Sequence, residues 1–523
     1  MNEKVSAKKT VALSTIKMAA ATLISRVLGL FREQVMAVLF GASGLTDAFL
    51  IAYRIPNLLR DLLAEGAFSA AFVPTFTEVL QKNKEEARQL FWSVLVLLSL
   101  VTGAITLFMI IFAKPLVLLF APTYAADPEK LALTVSLLRF MSPFIFIAAV
   151  TALFMGSLNT LKMFFIPSFA PAILNIVMIG CTLSLPFFLR QYGKSEAYAL
   201  AIGVIFGGIA QLLFLFPNII RNGFAFTNQI KIISRHTLRI LHKVGVGSLG
   251  VAAAQLNVLV TTVLATGAGV GAVSWLTYAF RLFQFPIGVL SVSISGSNLV
   301  HFSQAWKAGD KNGAVDFLKE SYSLTFLVLL PAMALLMAMS AESVNLIFQH
   351  GRFTIADTNS TALALKLYLV GLPFYGLYKV FGPTFYALEK PRIPVTISIC
   401  SLGVNILFCI VTIKHLGFSI LAFGTSLAMF LNTVGQAFYL RRELDLGFSF
   451  FFDKRIAKVL LASIICYLFT RFLCVEFYNF SGSILLRFIS FSLIGAVGAV
   501  SFALSLVSMG EMQTLKRILK RRR

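Results

Sequence analysis

The chain has 523 residues, of which 58% are hydrophobic and 13% charged, and its mean hydropathy is +0.86. Soluble globular proteins are about half apolar and about a quarter charged, so this balance excludes that class. The formal net charge of +23 comes mostly from Lys and Arg in short segments between apolar runs. That pattern is the positive-inside bias of membrane proteins, and it argues against a nucleic-acid-binding role.

Apolar runs of about 20 residues recur along nearly the whole chain, and this is the length that a helix needs to cross a bilayer. We therefore predict an all-α polytopic membrane protein with about 14 transmembrane helices. The predicted spans lie near residues 12–40, 46–80, 90–112, 131–158, 164–188, 197–220, 238–266, 272–304, 319–340, 358–388, 393–413, 418–440, 456–474 and 486–509. Connecting segments carry about 28 Lys and Arg on one side against about 6 on the other, which predicts that both termini are cytoplasmic.

Two segments in the first half of the chain each resemble a segment in the second half, and the two pairs are separated by nearly the same number of residues. AYRIPNLL at 52–59 resembles AFRLFQFPIGVL at 279–290, with Arg54 matched to Arg281 at an offset of 227. LNTLKMFFIPSFAPAILNI at 158–176 resembles LEKPRIPVTISICSLGVNI at 388–406, with Asn175 matched to Asn405 at 230. Chance similarity between apolar segments is the alternative explanation. Because both matches have nearly the same offset, we predict two pseudo-symmetric six-helix lobes, as in many transporters.

The predicted organisation has four parts. They are an N-terminal lobe over 1–220, a C-terminal lobe over 238–440, two extra helices over 456–509, and a basic cytoplasmic tail over 510–523. We expect the tail to anchor the topology at an anionic membrane surface.

The stretch from 25 to 76 is apolar but rich in charge, and it holds the candidate site. An arginine at the centre of a bilayer costs about 2.5–3.5 kcal/mol, so such groups are kept where they face a wet cavity, a partner charge or a charged substrate. Guanidinium groups bind phosphate with two parallel hydrogen bonds. The predicted substrate-binding residues are Arg26, Arg32, Arg54, Arg281 and Gln284. Structural ion pairs are the alternative role for the arginines.

Four further polar residues are predicted to support this site rather than to bind substrate. Asp47 is expected to be the charge partner of an arginine, in preference to a proton carrier. Asn57, Arg60 and Glu65 are expected to make caps or hydrogen bonds between helices.

The sequence contains no pattern typical of an enzyme. No GxSxG, P-loop or HExxH motif is present, and the five Cys and five His are scattered without metal-ligand spacing. We therefore predict no catalytic residues, no metal and no cofactor. Without a nucleotide-binding motif, the energy for transport is expected to come from the membrane potential or an ion gradient.

Three stretches resemble a known family. SRVLGLFRE at 25–33, with the helix that follows it, SWLTYAFRLFQFPIGVL at 274–290, and FQHGRFTIADT at 348–358 are similar to the MurJ (MviN) lipid II flippases. These belong to the multidrug/oligosaccharidyl-lipid/polysaccharide exporter superfamily. The resemblance covers essentially the whole chain.

The resemblance implies two lobes around a cationic cavity, with the last two helices forming an apolar groove for a polyprenyl tail. It implies a multi-pass protein of the bacterial cytoplasmic membrane that moves lipid II, the undecaprenyl-diphosphate disaccharide-pentapeptide of peptidoglycan synthesis, from the inner to the outer leaflet by alternating access. The partners it implies are lipid II, membrane lipids and cell-wall synthesis proteins. Functional residues of the family match Arg26, Arg32, Asp47 and Arg281.

The chain also departs from the family pattern. Phe280 and Gln284 stand where the family often has acidic residues, which makes the expected cavity more positive and puts ion coupling through this helix in doubt. Two alternative functions remain from the sequence. One is export of another polyprenyl-linked oligosaccharide or of a drug, and the other is a non-transporting scaffold for cell-wall enzymes.

Overall fold

The computed structural model describes residues 2–61, 67–288, 301–451 and 453–511. Within those ranges, the side chains of residues 2–16, 67, 70, 246–254, 256 and 448 are not described. Regular secondary structure in the described part of the chain is entirely helical. The chain divides into two compact units, Met1–Gly271 and Ala272–Arg523.

The first unit contains ten α-helices and a short 3₁₀ helix. They are α1 (Asn2–Phe40), α2 (Gly44–Arg60), α3 (Ala67–Lys82), α4 (Lys84–Ile111), α5 (Ala113–Phe120), the 3₁₀ helix Pro122–Ala126, α6 (Pro128–Met141), α7 (Phe144–Thr160), α8 (Phe165–Gln191), α9 (Ala197–Arg221) and α10 (Arg235–Thr266). Several helix starts are set by local sequence. The Asn83 side chain accepts hydrogen bonds from Glu85 N and Glu86 N at the start of α4, and Ser234 and Thr237 form a capping box at the start of α10.

Helix α8 is central to this unit because it packs against both α9 and α1. The approach of α9 is close enough to require glycine, since a Cβ on Gly207 would lie 2.9 Å from the Leu174 carbonyl oxygen of α8. A separate aromatic cluster joins α3 and α4 to the segment after α9, where Phe72, Phe76 and Phe224 are fully buried.

The second unit contains nine described α-helices. They are α11 (Ala272–Pro286), α12 (Lys311–Ala338), α13 (Ser340–Phe348), α14 (Ile355–Leu369), α15 (Leu372–Ala387), α16 (Arg392–Leu416), α17 (Ser419–Glu443), α18 (Lys454–Phe477) and α19 (Ile484–Ser508). The last two pair with each other, and both pack on α12. Here too a glycine permits contact, since a Cβ on Gly498 would lie 2.7 Å from Leu335 of α12.

Polar contacts tie one end of the last helix pair to α13. Arg471 of α18 forms an ion pair with Glu342 at 2.9 Å, and the carboxylate is 1% exposed. Just beyond α18, the Tyr478 hydroxyl donates to Asn345 Oδ1 at 2.8 Å, and Arg487 donates to the same oxygen at 3.3 Å. Burial raises the pKa of Tyr478 to about 12, so this hydroxyl stays protonated at neutral pH and acts as a donor.

A bend of 42° separates α14 from α15 within one predicted span. Breaking a helix frees backbone carbonyls, which need partners in an apolar setting. Ser426 of α17 supplies one, since its hydroxyl lies 2.7 Å from Leu367 O and 3.0 Å from Tyr368 O. The fit is tight, because a Cβ on Gly371 would lie 2.9 Å from Ser426 Cα.

Nine described helical segments are long and apolar enough to cross a membrane, or ten when the bent pair counts as one span. These ten correspond to ten of the predicted spans. The other four predicted spans correspond to α1, to α2 together with α3, to α10 and to α11. These helices are not among the ten because they carry charges or adjoin residues that the structure does not describe. The all-α polytopic fold with about 14 membrane-spanning segments is therefore confirmed.

The first compact unit ends later in the chain than the predicted N-terminal lobe. Helix α10, which was assigned to the second lobe from the repeat, packs on α3 and lies in the first unit. Compactness and internal repetition are different criteria, so the boundaries drawn from the repeat stay a prediction.

Candidate functional site

Helix α1 presents two arginines in different settings. Arg26 is exposed and makes no ion pair with any residue of the described part of the chain. Arg32 is only 15% exposed and pairs with Glu33 Oε1 at 2.7 Å. Its other terminal nitrogen donates to Asn175 Oδ1 at 3.2 Å and lies 3.6 Å from the sulfur of Met178, both on α8. One arginine of α1 therefore reaches open space and the other is held between two helices.

Helix α2 carries the third arginine of the first unit. Arg54 Nε donates to Thr262 Oγ1 of α10 at 3.4 Å. Directly after Pro56, Asn57 is half-buried. At the end of α2, Arg60 pairs with Asp61 at 3.0 Å, with side chains 25% and 30% exposed. Such partly exposed pairs contribute about 0–1 kcal/mol. The cap or interhelical hydrogen bond expected of Arg60 stays a prediction.

Asp47 lies in the first turn of α2 and is 1% exposed. One of its oxygens accepts a hydrogen bond from Gly271 N at 2.7 Å and lies 3.8 Å from Lys130 Nζ. Sequence reasoning expected an arginine as the partner of this carboxylate. A lysine lies beside it in the described structure, and the arginine partner stays a prediction.

The turn that follows α10 brings Gly271 to Asp47. Gly271 has φ of +88° and Gly269 has φ of +116°, a conformation that glycine adopts without steric cost. The Lys130 ammonium is also 4.3 Å from the centre of the Tyr124 ring. Burial, with the nearby Asp47 and Asp127 carboxylates, raises the pKa of Tyr124 far above its ordinary value. The tyrosine is therefore neutral beside a buried ion pair.

Two predicted residues lie on α11 in the second unit. Arg281 and Gln284 are exposed, whereas Leu282 and Phe283 between them are buried. The arginine and the glutamine therefore share the open side of this helix. Phe280, which replaces an acidic residue of the family pattern, packs against the Tyr368 ring at 5.3 Å between centres.

The described structure places the predicted residues in three groups. Arg26 and Arg32 lie on α1, Asp47, Arg54, Asn57 and Arg60 lie on α2, and Arg281 and Gln284 lie on α11. Glu65 lies outside the described residues.

Three contact residues were missed as site components by sequence reasoning. Asn175 had one signal, its place in the internal repeat. Lys130 was counted only as a charge of a connecting segment, and Thr262 had no signal at all. Among the described residues, no group of three His, Cys, Asp or Glu side chains is arranged to hold a metal ion.

The second unit also contains an apolar cavity of about 410 Å³. Helices α12, α15 and α18 and the bend before α15 line it, with Phe326, Leu330, Met333, Met337, Val370, Pro373, Phe374, Ile456 and Leu460. Every lining residue is apolar, so the cavity suits a hydrocarbon chain.

Comparison with known proteins gives concordant matches over most of the chain. The model of the family described as "Lipid II flippase MurJ" matches residues 36–497. A relative from Buchnera aphidicola subsp. Acyrthosiphon pisum, named "Probable lipid II flippase MurJ", is 33% identical over 454 residues, which is 86% of this chain and 88% of the relative. "Lipid II flippase MurJ" of Burkholderia cenocepacia is 34% identical over 423 residues, which is 79% of this chain and 80% of the relative.

Solved structures agree with these matches. The structure titled "Lipid II flippase MurJ, inward closed conformation" superposes with a TM-score of 0.76 and 26% identity, covering 94% of this chain and all of the other. An inward-facing multidrug resistance MATE family transporter of the MOP superfamily gives a TM-score of 0.66 at 16% identity, over 82% of this chain and 98% of its own, which is a likeness of fold alone. On the family model and on relatives more than 30% identical over most of its length, this chain belongs to the MurJ family.

Proposed function

We propose that the protein is a flippase that moves lipid II from the inner to the outer leaflet of the bacterial cytoplasmic membrane by alternating access. The observation that carries this proposal is the family membership, which comes with arginines retained inside membrane-spanning helices. In this proposal the chain acts in peptidoglycan synthesis as a transporter and performs no catalysis.

The headgroup of such a substrate is a diphosphate, and guanidinium groups match it in charge and geometry. We assign Arg26, Arg32, Arg54 and Arg281 to this recognition, with Gln284 contacting a sugar or peptide group. The exposure of Arg26 and Arg281 supports their role as first contacts. Arg32 is less exposed, so it reaches the substrate only at the edge of its guanidinium group.

The tail of the substrate is a long apolar chain, and the cavity in the second unit supports a site for part of it. Its lining on α12 extends from Phe326 to Met337. Eleven residues of helix rise about 16 Å, which is enough for three or four isoprene units of about 4–5 Å each. Two lining residues, Ile456 and Leu460, come from α18, so we propose that the extra helices over 456–509 supply one wall of a tail groove.

The direction of transport fits an electrical driving force without a cofactor. The charge asymmetry of the connecting segments supports cytoplasmic termini and a cytoplasmic basic tail over 510–523. A diphosphate carries about two negative charges, so moving it outward across a membrane with a negative interior releases about 4–5 kcal/mol per 100 mV. An ion gradient is the other source we propose, and cell-wall synthesis proteins are the partners.

The test replaces a cell's own lipid II flippase with this chain. Cells are depleted of their flippase, supplied with this protein, and treated with a membrane-impermeant reagent that modifies only outer-leaflet precursor. We expect wild type to restore the modified fraction and Arg26→Ala with Arg281→Ala to abolish it. Restoration by the double variant would refute the role of these two arginines. No restoration by well-expressed wild type would refute transport of this precursor.

A further inference from the structure

Asn175 of α8 makes two contacts with α1 through one side chain. Its Oδ1 accepts from Arg32 Nη1 at 3.2 Å, and its Nδ2 donates to the Ser25 carbonyl oxygen at 3.2 Å. The side chain is 7% exposed. Gly29 lies directly opposite the amide, where a Cβ would be 3.6 Å from Nδ2. One buried amide therefore contacts α1 at two positions, Ser25 and Arg32, which are about two turns apart.

These two contacts lie at the two ends of the segment of α1 that carries both arginines. The first fixes the guanidinium of Arg32 itself. The second holds the backbone at Ser25, the residue before the exposed Arg26. A hydrogen bond to a charged group is worth more than one between neutral groups, and an amide oriented by two partners has little freedom to turn away. Asn175 and the Glu33 ion pair together hold the guanidinium group of Arg32, and Asn175 also holds the backbone beside Arg26.

An asparagine in a membrane-spanning helix often bonds to a neighbouring helix for packing alone. Asn405, its counterpart in the repeat, accepts from Cys409 Sγ of its own helix at 3.3 Å and faces Gly424 of α17. The partner of Asn175 is instead a cation that the proposed function assigns to the substrate.

We propose that Asn175 is a positioning residue for the arginines of α1 that bind the diphosphate. The inference rests on the proposed function. It adds that Asn175 acts through Arg32, without contacting substrate itself, by holding the guanidinium in the orientation that receives a phosphate oxygen.

The experiment measures initial rates of lipid II translocation in vesicles containing the purified protein, with all variants matched for thermal stability. Asn175→Leu and Arg32→Ala are each expected to lower the rate about tenfold to a hundredfold, the equivalent of one hydrogen bond to a charged group. Because both remove the same function, the double variant should match Arg32→Ala within about threefold. Thr182→Val on the same helix is the control, since among the described residues that buried hydroxyl bonds only to Met178 O of its own turn.

A second variant separates positioning from packing. Asn175→Asp keeps the shape of the side chain and an acceptor for Arg32, but it loses the donor to Ser25 O, and its carboxylate competes with diphosphate for the guanidinium. We expect the half-saturating precursor concentration to rise about tenfold, with a smaller change in maximal rate.

The outcomes are distinguishable. Equal losses from Asn175→Leu in the wild-type and Arg32→Ala backgrounds, or an unchanged half-saturating concentration in Asn175→Asp, would overturn the role of Asn175 alone. A wild-type protein without translocation activity would overturn the proposed function and this inference together.

Discussion

The ion pair between Arg471 and Glu342 allows a stability prediction in which the two partners are not equivalent. The carboxylate is 1% exposed, whereas the arginine side chain is 41% exposed. In the described structure the second carboxylate oxygen, Oε2, has no hydrogen-bond partner. Arg471→Leu therefore leaves a buried charge without its cation, whereas Glu342→Gln leaves a cation that already reaches the surface.

Removing one partner of a fully buried pair costs about 3–5 kcal/mol. Here the exposure of the arginine lowers that figure, and the position of Glu342 in the first turn of α13 offsets another 0.3–1 kcal/mol or so through the helix dipole. We expect Arg471→Leu to cost about 2–3 kcal/mol and Glu342→Gln about 1 kcal/mol. The double variant should cost less than Arg471→Leu alone, because the buried charge is then gone.

Thermal unfolding in detergent, followed by tryptophan fluorescence, measures this order. Arg190→Leu is the matched control, since Arg190 is 66% exposed in its pair with Glu196 and its loss should cost about 0–1 kcal/mol. The reasoning is wrong if Glu342→Gln destabilises as much as Arg471→Leu, or if the double variant is the least stable of the three.

Three other changes have definite expected outcomes. Asp47→Asn leaves the buried ammonium 3.8 Å away without its anion, so unfolding temperature should fall in detergent, and a value equal to wild type would contradict the pairing. Leu460→Trp fills part of the apolar cavity and should slow translocation of long-tailed precursor about tenfold more than of a short-tailed analogue, whereas Leu461→Trp, which does not line the cavity, should not discriminate between tails. Gly207→Ala places a methyl group 2.9 Å from a carbonyl oxygen of α8 and should cost about 1–3 kcal/mol in thermal unfolding, whereas Gly180→Ala, with nothing within 4 Å, should be neutral or stabilising.

The helices could be predicted from the sequence because a bilayer imposes one length on every span. Ten predicted spans coincide with described helical segments that are long and apolar enough to cross a membrane. The other four include the charged helices α1, α2 and α11, where the same arginines that weaken the apolar signal gave the candidate site.

The partners of those arginines could not be predicted in the same way. Arg32 and Asn175 are 143 residues apart, and Arg54 and Thr262 are 208 apart. Nothing in local spacing relates such pairs, because only the packing of α8 on α1 and of α10 beside α2 brings them together. The contact between Asp47 and Lys130 could not be predicted for another reason. A cation in a connecting segment indicates topology first, and its burial against Tyr124 depends on the tertiary fold.

The bend at Gly371, between α14 and α15, links the apolar cavity to a neighbouring helix. The bend adjoins the apolar cavity, which is lined there by Val370, Pro373 and Phe374. It also contacts α17, through the Ser426 hydroxyl and a close approach of Gly371 to the Ser426 backbone. Moving α17 away from the bend would remove the Ser426 hydroxyl from the Leu367 carbonyl oxygen, and losing that hydrogen bond is costly in an apolar environment. We therefore expect any motion of the bend that widens or narrows the apolar cavity to move α17 as well.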